Sequence, residues 1–318
     1  MTASVSAKPP VGRDPDVDGQ VAAPPSTPVG ALTRGERRTA WAMVSPTILI
    51  VLAVAFLPVL YTVYLSLHHA TVTQAGGFAG LSNFTAIFSD PTFVQALKYT
   101  LIFTVVSVAV ELVLGMGVAL VLNRRFRGRG LLRALVLIPW AFPLAIAAVL
   151  ARLMLQDPFG ILQYLAQQVG VVHGPILSNY TALLIGVMVV DVWTSTPFMA
   201  LLLLAGLQTI PGEVLEAAKV DGATAVQSFF RVTVPLLKPA MLVALLFRTL
   251  QAWAVYDLFW VMAEHNINSL STYVYQGVTQ SSLNFAPGTA AAVFTFVTSL
   301  AIALVYIKGF GVRTVQEP

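Results

Sequence analysis

Residues 213–239 read EVLEAAKVDGATAVQSFFRVTVPLLKP, a polar-flanked insert between two long apolar runs. Pro211 suits a first helical turn, and Glu213 and Glu216 sit near the positive end of the helix dipole. The spacing predicts a short helix to Asp221-Gly222, where Gly222 supplies a positive φ or permits a close backbone approach. Asp221 is then expected to cap a second short helix that runs through Phe229-Phe230 until Pro235 stops it. Ala217, Ala218, Gly222, Ala223 and Ala225 are small enough for a partner to come close, while Leu215, Phe229 and Phe230 offer large apolar knobs. Helix, tight turn and helix with such a surface make a docking element.

The flanks of the insert belong in a bilayer. Over 318 residues, 57% are hydrophobic and only 10% charged, too little polar surface for a soluble globule. Six runs are long enough for a hydrocarbon core that takes about 20 helical residues: 41–67, 96–123, 131–155, 180–207, 236–262 and 288–310. The fold expected is therefore all-α and polytopic with six transmembrane helices, the insert forming a loop over 208–239 between spans four and five. Residues 1–33, rich in Pro, Ala, Gly, Val and Asp without a sustained period, are expected to be a disordered tail, and no apolar core of signal-peptide length follows the start.

Charge sets the orientation. Arg34, Arg37 and Arg38 precede span one; Arg124, Arg125, Arg127, Arg129 and Arg133 lie between spans two and three; Lys219, Arg231 and Lys238 lie in the insert, and Lys308 and Arg313 near the end. The other flanks carry only Lys98 and Arg152, at span ends where they can snorkel. By the positive-inside rule both termini and the insert are cytoplasmic. The net charge of +4 does not point to nucleic acid, because the basic residues are not grouped around an aromatic platform.

Ionisable side chains at membrane depth are functional candidates by default. Glu111 in span two, Asp191 in span four and Arg248 in span five fall near the middle of their runs. An ion pair of Arg248 with Asp191 or with Glu111 would relieve the cost of burial, as a permanent clamp or as a gate. In span five, Trp253, Asp257 and Trp260 stand at i, i+4 and i+7, which on one helix puts two indoles and a carboxylate on one face. Such a face suits a sugar, whose C–H faces stack on rings and whose hydroxyls donate to carboxylates. Gln251 and Tyr256 lie beside them. Span four holds Asp191-Val-Trp193-Thr-Ser-Thr-Pro197, where the proline frees carbonyls that the Thr and Ser hydroxyls can re-satisfy as a tolerated kink, or bends the run so that its polar groups face a path.

Other chemistries are missing. No Walker-type phosphate loop is present, so the chain is not expected to hydrolyse ATP. His68, His69, His173 and His265 lack metal-ligand spacing, no nucleophile elbow occurs, and there is no cysteine to serve as nucleophile or ligand.

Glu216-Ala217-Ala218, Gly222 and Val232-x-Val234-Pro235 together resemble the EAA motif of permease subunits of bacterial ATP-binding-cassette importers, with Val232 and Val234 where Ile and Leu are usual. The flanking Asp221-Gly222-Ala223 and Pro235-Leu-Leu-Lys-Pro239 are similar to the maltose-type sugar permeases, and the whole pattern to their mycobacterial trehalose-import members. The likeness extends from Trp193 through Gly206-Leu-Gln208, then Phe247, Arg248 and Tyr256-Asp257, and weakens at Ala263-Glu-His-Asn266, where the family often has Gly-Gly-Pro. It implies that the insert is the coupling helix seated in an ATPase cleft, with Glu216, Ala217, Ala218, Asp221, Gly222, Phe229 and Pro235 as its working residues. It also implies a second homologous permease, an ATPase dimer holding ATP and Mg, an extracytoplasmic sugar-binding lipoprotein, and a bacterial inner-membrane location. The chain itself is expected to be no enzyme and to hold no cofactor. The rival from another class is an ion-coupled carrier using Glu111 or Asp191 for protons; paired broken helices in inverted repeats would favour it.

Overall fold

The computed structural model describes residues 34–280 and 285–309. The tail expected over 1–33 and the flank carrying Phe310 and Arg313 lie outside the described residues. In order, the elements are α1 (Arg34–Val51), a π-helical turn (Leu52–Phe56), α2 (Leu57–Ser66), β1 (His68–Ala70), β2 (Ala75–Phe78), α3 (Ser82–Ser89), α4 (Pro91–Asn123), α5 (Arg129–Ala141), α6 (Leu144–Leu155), α7 (Ile161–Gln168), a 3₁₀ turn (Ile176–Ser178), α8 (Tyr180–Thr209), α9 (Gly212–Val220), α10 (Ala225–Ser228), a π-helical turn (Phe229–Thr233), α11 (Val234–Trp253), α12 (Asp257–Ala263), α13 (Leu270–Thr279) and α14 (Phe285–Gly309). Contacts divide the chain at Phe56, so α1 and its π turn form one unit and everything from Leu57 onward the other.

The long helices begin where side chains supply what their first turns lack. Asp90 accepts from the Thr92 amide at 2.8 Å with Pro91 at the first helical position, which starts α4. Asn179 accepts from the amides of Thr181 and Ala182, both at 3.0 Å, and starts α8. Runs Gly35–Ser66, Pro91–Asn123, Tyr180–Thr209, Ala225–Trp253 and Phe285–Gly309 are each long and apolar enough to cross a membrane, and a sixth span results if the bent pair α5 and α6 counts as one.

Four expectations need correction. The third run is not a straight span: α5 and α6 meet at a bend of 84°. Pro143 has no amide hydrogen and drives Phe142 into extended backbone (ψ 134°), so no helix passes through that point. The fifth run ends early, at Trp253, and restarts at Asp257 after an irregular Ala254-Val255-Tyr256. Pro235, expected to stop the second helix of the insert, instead lies in the first turn of α11. The preceding π turn, closed by the Val234 amide on the Phe229 carbonyl, shifts the register so that the proline falls where no amide hydrogen is needed. The all-helical expectation also omits the β1–β2 hairpin, paired at His68 and Phe78.

In the second unit α4 packs along α8, α11 crosses both, and α14 lies against α2, α11 and α13. Small residues bring α8 and α11 together: a Cβ on Gly206 would stand 2.3 Å from the Ala240 Cβ. The core between α4, α8 and α11 is built from Phe103, Leu183, Met199, Leu203 and Leu237, and the short α12 seals it with Leu258 and Phe259.

Candidate functional site

Arg248, Asp191 and Glu111 are 4%, 3% and 0% exposed, and they meet. Arg248 Nε and Nη2 donate to the two oxygens of Glu111 at 2.6 and 2.7 Å, a fork that joins α11 to α4. The same Nη2 donates to Asp191 Oδ2 on α8 at 3.0 Å, and Nη1 to Gln251 Oε1 at 3.0 Å. Arg248 thus holds both carboxylates, where the sequence left the choice open. The two are not equivalent. Glu111 is sealed in the bundle, whereas Asp191, with Ser195 Oγ donating to Oδ1 at 3.4 Å, lines a cavity of about 430 Å³.

That cavity forms where both helices break. Trp140 and Phe142 come from the bend between α5 and α6, Ala254, Val255 and Tyr256 from the gap between α11 and α12, and Asp191, Thr194 and Ser195 from α8. Arg248, Gln251 and Asp257 complete its polar wall. Irregular backbone at membrane depth is tolerated only where it is buried in protein or lines a cavity. The gap is held from the far side: Ser269, fully buried at the start of α13, donates Oγ to the Val255 carbonyl at 2.7 Å, while the Leu270 amide donates to Thr100 Oγ1 on α4 at 2.9 Å. Tyr256 stacks on Trp260 (5.6 Å between centroids), and Tyr275 stands edge-on to both.

Several sequence expectations fail here. Trp253, Asp257 and Trp260 do not share a face, because the helix that would align them stops after Trp253. Trp253 is buried among Phe93, Leu270 and Tyr273, and its Nε1 donates to Thr298 Oγ1 on α14 at 3.0 Å. Asp257 and Tyr256 reach the cavity, while Trp260 stays in the aromatic cluster behind it. Trp193 is two residues, about 200° of helix, from Asp191; it lines apolar grooves on the other side of α8. Thr194 and Thr196 return their hydroxyls to carbonyls of α8 itself. Thr194 and Ser195 of the polar run on α8 do line the cavity; Trp140 and Phe142 were not foreseen as lining, and the closely spaced Pro139 and Pro143 around them are the signal that marks a broken helix there.

In the insert, Gly222 has φ +79° with nothing near a would-be Cβ, so the turn conformation alone demands glycine. Asp221 does not cap the second helix. It ends α9, and Thr224 is the cap, in a reciprocal pair with Gln227. Val220, Val226 and Phe230 are 88%, 66% and 64% exposed, a bare apolar surface that adds Val220 and Val226 to the expected knobs.

At the opposite end of the bundle, Arg152 of α6 pairs with Glu264 and donates to the Val261 carbonyl. The guanidinium holds the Glu264 carboxyl below its usual value. Glu264 and His265 have φ of 41° and 74°, left-handed values that residues other than glycine rarely adopt.

A family model described as the binding-protein-dependent transport system inner membrane component matches residues 111–312. The chain is 37% identical over 281 residues to the trehalose/maltose transport system permease protein MalF of Thermococcus litoralis, across 86% of this chain and 94% of that one. It is 38% identical over 280 residues to the trehalose transport system permease protein SugA of Mycobacterium tuberculosis, across 87% and 90%. Among solved structures, a chain of a bacterial alginate ABC transporter in complex with an alginate pentasaccharide-bound periplasmic protein superposes with a TM-score of 0.71 over 86% of this chain and 94% of that chain, sharing the fold at 22% identity.

Proposed function

The chain belongs to the family of binding-protein-dependent transport system inner membrane components, multi-pass proteins of the inner membrane, and from that premise we propose that it is the permease subunit of an ATP-driven importer of a disaccharide of the trehalose kind. The observation that carries the reading is the polar cavity between two broken helices, where a buried carboxylate, a guanidinium, an amide and a tyrosine converge within about 430 Å³. Asp191 and Asp257 accept from sugar hydroxyls, Gln251 donates and accepts, and Tyr256 and Trp140 cover C–H faces. Arg248 holds Asp191 and Gln251 in place and stays bound to Glu111.

The chain carries the path and not the engine. ATP and Mg are bound by a partner ATPase dimer, which receives the insert: Val220, Val226, Phe229 and Phe230 dock, Glu216, Ala217 and Ala218 face the cleft, and Gly222 permits the turn. Both termini and the insert are cytoplasmic by the positive-inside reading. A second, homologous permease closes the pore, and a sugar-binding protein delivers substrate to the opposite side. Closure of the ATPase pair draws the two inserts together and opens the cavity outward, which is alternating access.

The test is uptake of labelled trehalose and maltose into proteoliposomes holding this chain with its partner permease and ATPase. Uptake that needs internal ATP and external binding protein, with trehalose outcompeting maltose, is the expected result. Uptake that persists without the ATPase and collapses with a proton ionophore would establish the ion-coupled carrier instead.

A further inference from the structure

The arginine-rich corner between α4 and α5 lies beyond one end of an apolar groove, and we infer that the two together bind one anionic phospholipid, phosphate at the corner and acyl chain in the groove. The corner reads Arg124-Arg125-Phe126-Arg127-Gly128-Arg129, with Arg133 one turn on, and no acidic residue occurs between Glu111 and Asp157. Arg124, Arg125 and Arg127 are exposed, and among the described residues none has a carboxylate partner. Phe126 is 43% exposed in their midst, an aromatic ring at a charged boundary as interfacial anchors have. Arg129 and Arg133 are differently engaged: with its amide oxygen turned toward them, Gln208 at the end of α8 accepts from Arg129 Nη2 at 3.2 Å and Arg133 Nη2 at 2.9 Å.

The groove, about 750 Å³, runs between α4, α5 and α8 and is lined by Val110, Leu114, Val118, Val136, Val189 and Val192 among others. Val118 precedes Arg124 by six residues, roughly 9 Å of helical rise, and Val136 follows Arg133 by less than one turn. The antiparallel α4 and α5 therefore bring the charged corner to one end of the apolar channel. Guanidinium forks match phosphate oxygens, and clustered arginines next to a span attract anionic headgroups. A phosphate group with an attached chain fits both halves; a free phosphate fits one. Gln208 opens the 208–239 loop, so an occupied corner also steadies the helix ends from which the insert leaves.

Trp193 lines the same groove, which gives a local reporter. The full-length chain in uncharged detergent is titrated with phosphatidylglycerol or phosphatidylcholine carrying brominated acyl chains, and quenching of tryptophan fluorescence is followed. Phosphatidylglycerol is expected to quench with at least tenfold higher apparent affinity, most of the signal vanishing in Trp193→Phe. The triple variant R124Q/R125Q/R127Q should lose the preference while eluting as the wild type does, and the corresponding triple lysine variant should keep most of it. Equal quenching by the two lipids, an unchanged preference in the glutamine variant, or competition by millimolar inorganic phosphate would each overturn the inference. So would a photo-cross-linker at Leu114 that joins a protein subunit in native membranes; a phospholipid-sized adduct there supports it.

Discussion

Arg248 holds two carboxylates whose surroundings assign them different work. Glu111 takes two hydrogen bonds from the guanidinium inside a sealed bundle, which ties α4 to α11 and leaves it no face on the cavity. Asp191 takes a single bond from the same group and faces the cavity, which leaves acceptor capacity for a ligand hydroxyl. Arg248→Ala strands both charges; removing one partner of a buried pair costs about 3–5 kcal/mol, so folded yield by size-exclusion chromatography should fall sharply and uptake should be lost. Asp191→Asn should instead keep the yield and reduce sugar uptake roughly tenfold, the worth of about one charge-assisted hydrogen bond. Normal uptake by Asp191→Asn would remove the aspartate from the path. The exposed pair of Arg152 and Glu264 follows a different rule. Because the folded carboxyl lies below its ordinary value of 4.5, its stabilisation is present above that value and is lost as pH falls through the folded one. With Glu264 60% exposed, the gain is only a few tenths of a kcal/mol. The melting difference between wild type and Glu264→Gln should accordingly be small at pH 7 and disappear once pH has fallen through the folded value.

At the level of elements, the spans were legible because a continuous apolar run of adequate length has few other fates, and their caps, Asp90 and Asn179, sit where the sequence changes character. The breaks were not legible from hydropathy, since averaging over a window passes smoothly across Ala254-Val255-Tyr256. What ends α11 there is distant in sequence: Ser269 offers the Val255 carbonyl a replacement partner. The face argument for Trp253, Asp257 and Trp260 failed with it, as a 3.6-residue period holds only inside one helix. The buried triad survived as a cluster because its cost constrains it wherever the helices bend. Packing between α8 and α11 makes a sharper prediction. A methyl at Gly206 would stand 2.3 Å from the Ala240 Cβ and 2.7 Å from Leu237 Cδ1, and the first of these atoms cannot swing aside. Gly206→Ala should lower the yield of folded protein through overpacking of about 1–3 kcal/mol, and Ala240→Gly in the same chain should restore most of it. Failure of that rescue would show that the two helices are not held at this spacing.

For the molecule as a whole, the proposed docking role requires a route from the insert to the cavity. The insert is continuous with both spans that build the cavity: α9 follows α8 after a two-residue link, and α10 passes through a π turn straight into α11. A displacement of the insert is therefore carried by α8, with Asp191, and by α11, with Arg248 and Gln251. Gly222 at φ +79° is the one sharp turn within it, so Gly222→Asp should uncouple ATP hydrolysis from sugar without altering sugar affinity. The absence of cysteine from the sequence makes the contact itself testable, since a single cysteine at Ala218 or Phe229 is then the only thiol on this chain. With a thiol-reactive cross-linker of short span in native membranes, either variant should trap an ATP-hydrolysing subunit, and the adduct should change in yield when a non-hydrolysable nucleotide is added. A cysteine at Tyr275, placed among the aromatic residues at the far end of α11, should trap none. If the insert cysteines yield only lipid adducts or self-dimers while the chain still supports uptake, the drive enters elsewhere and the docking role of residues 213–239 is wrong.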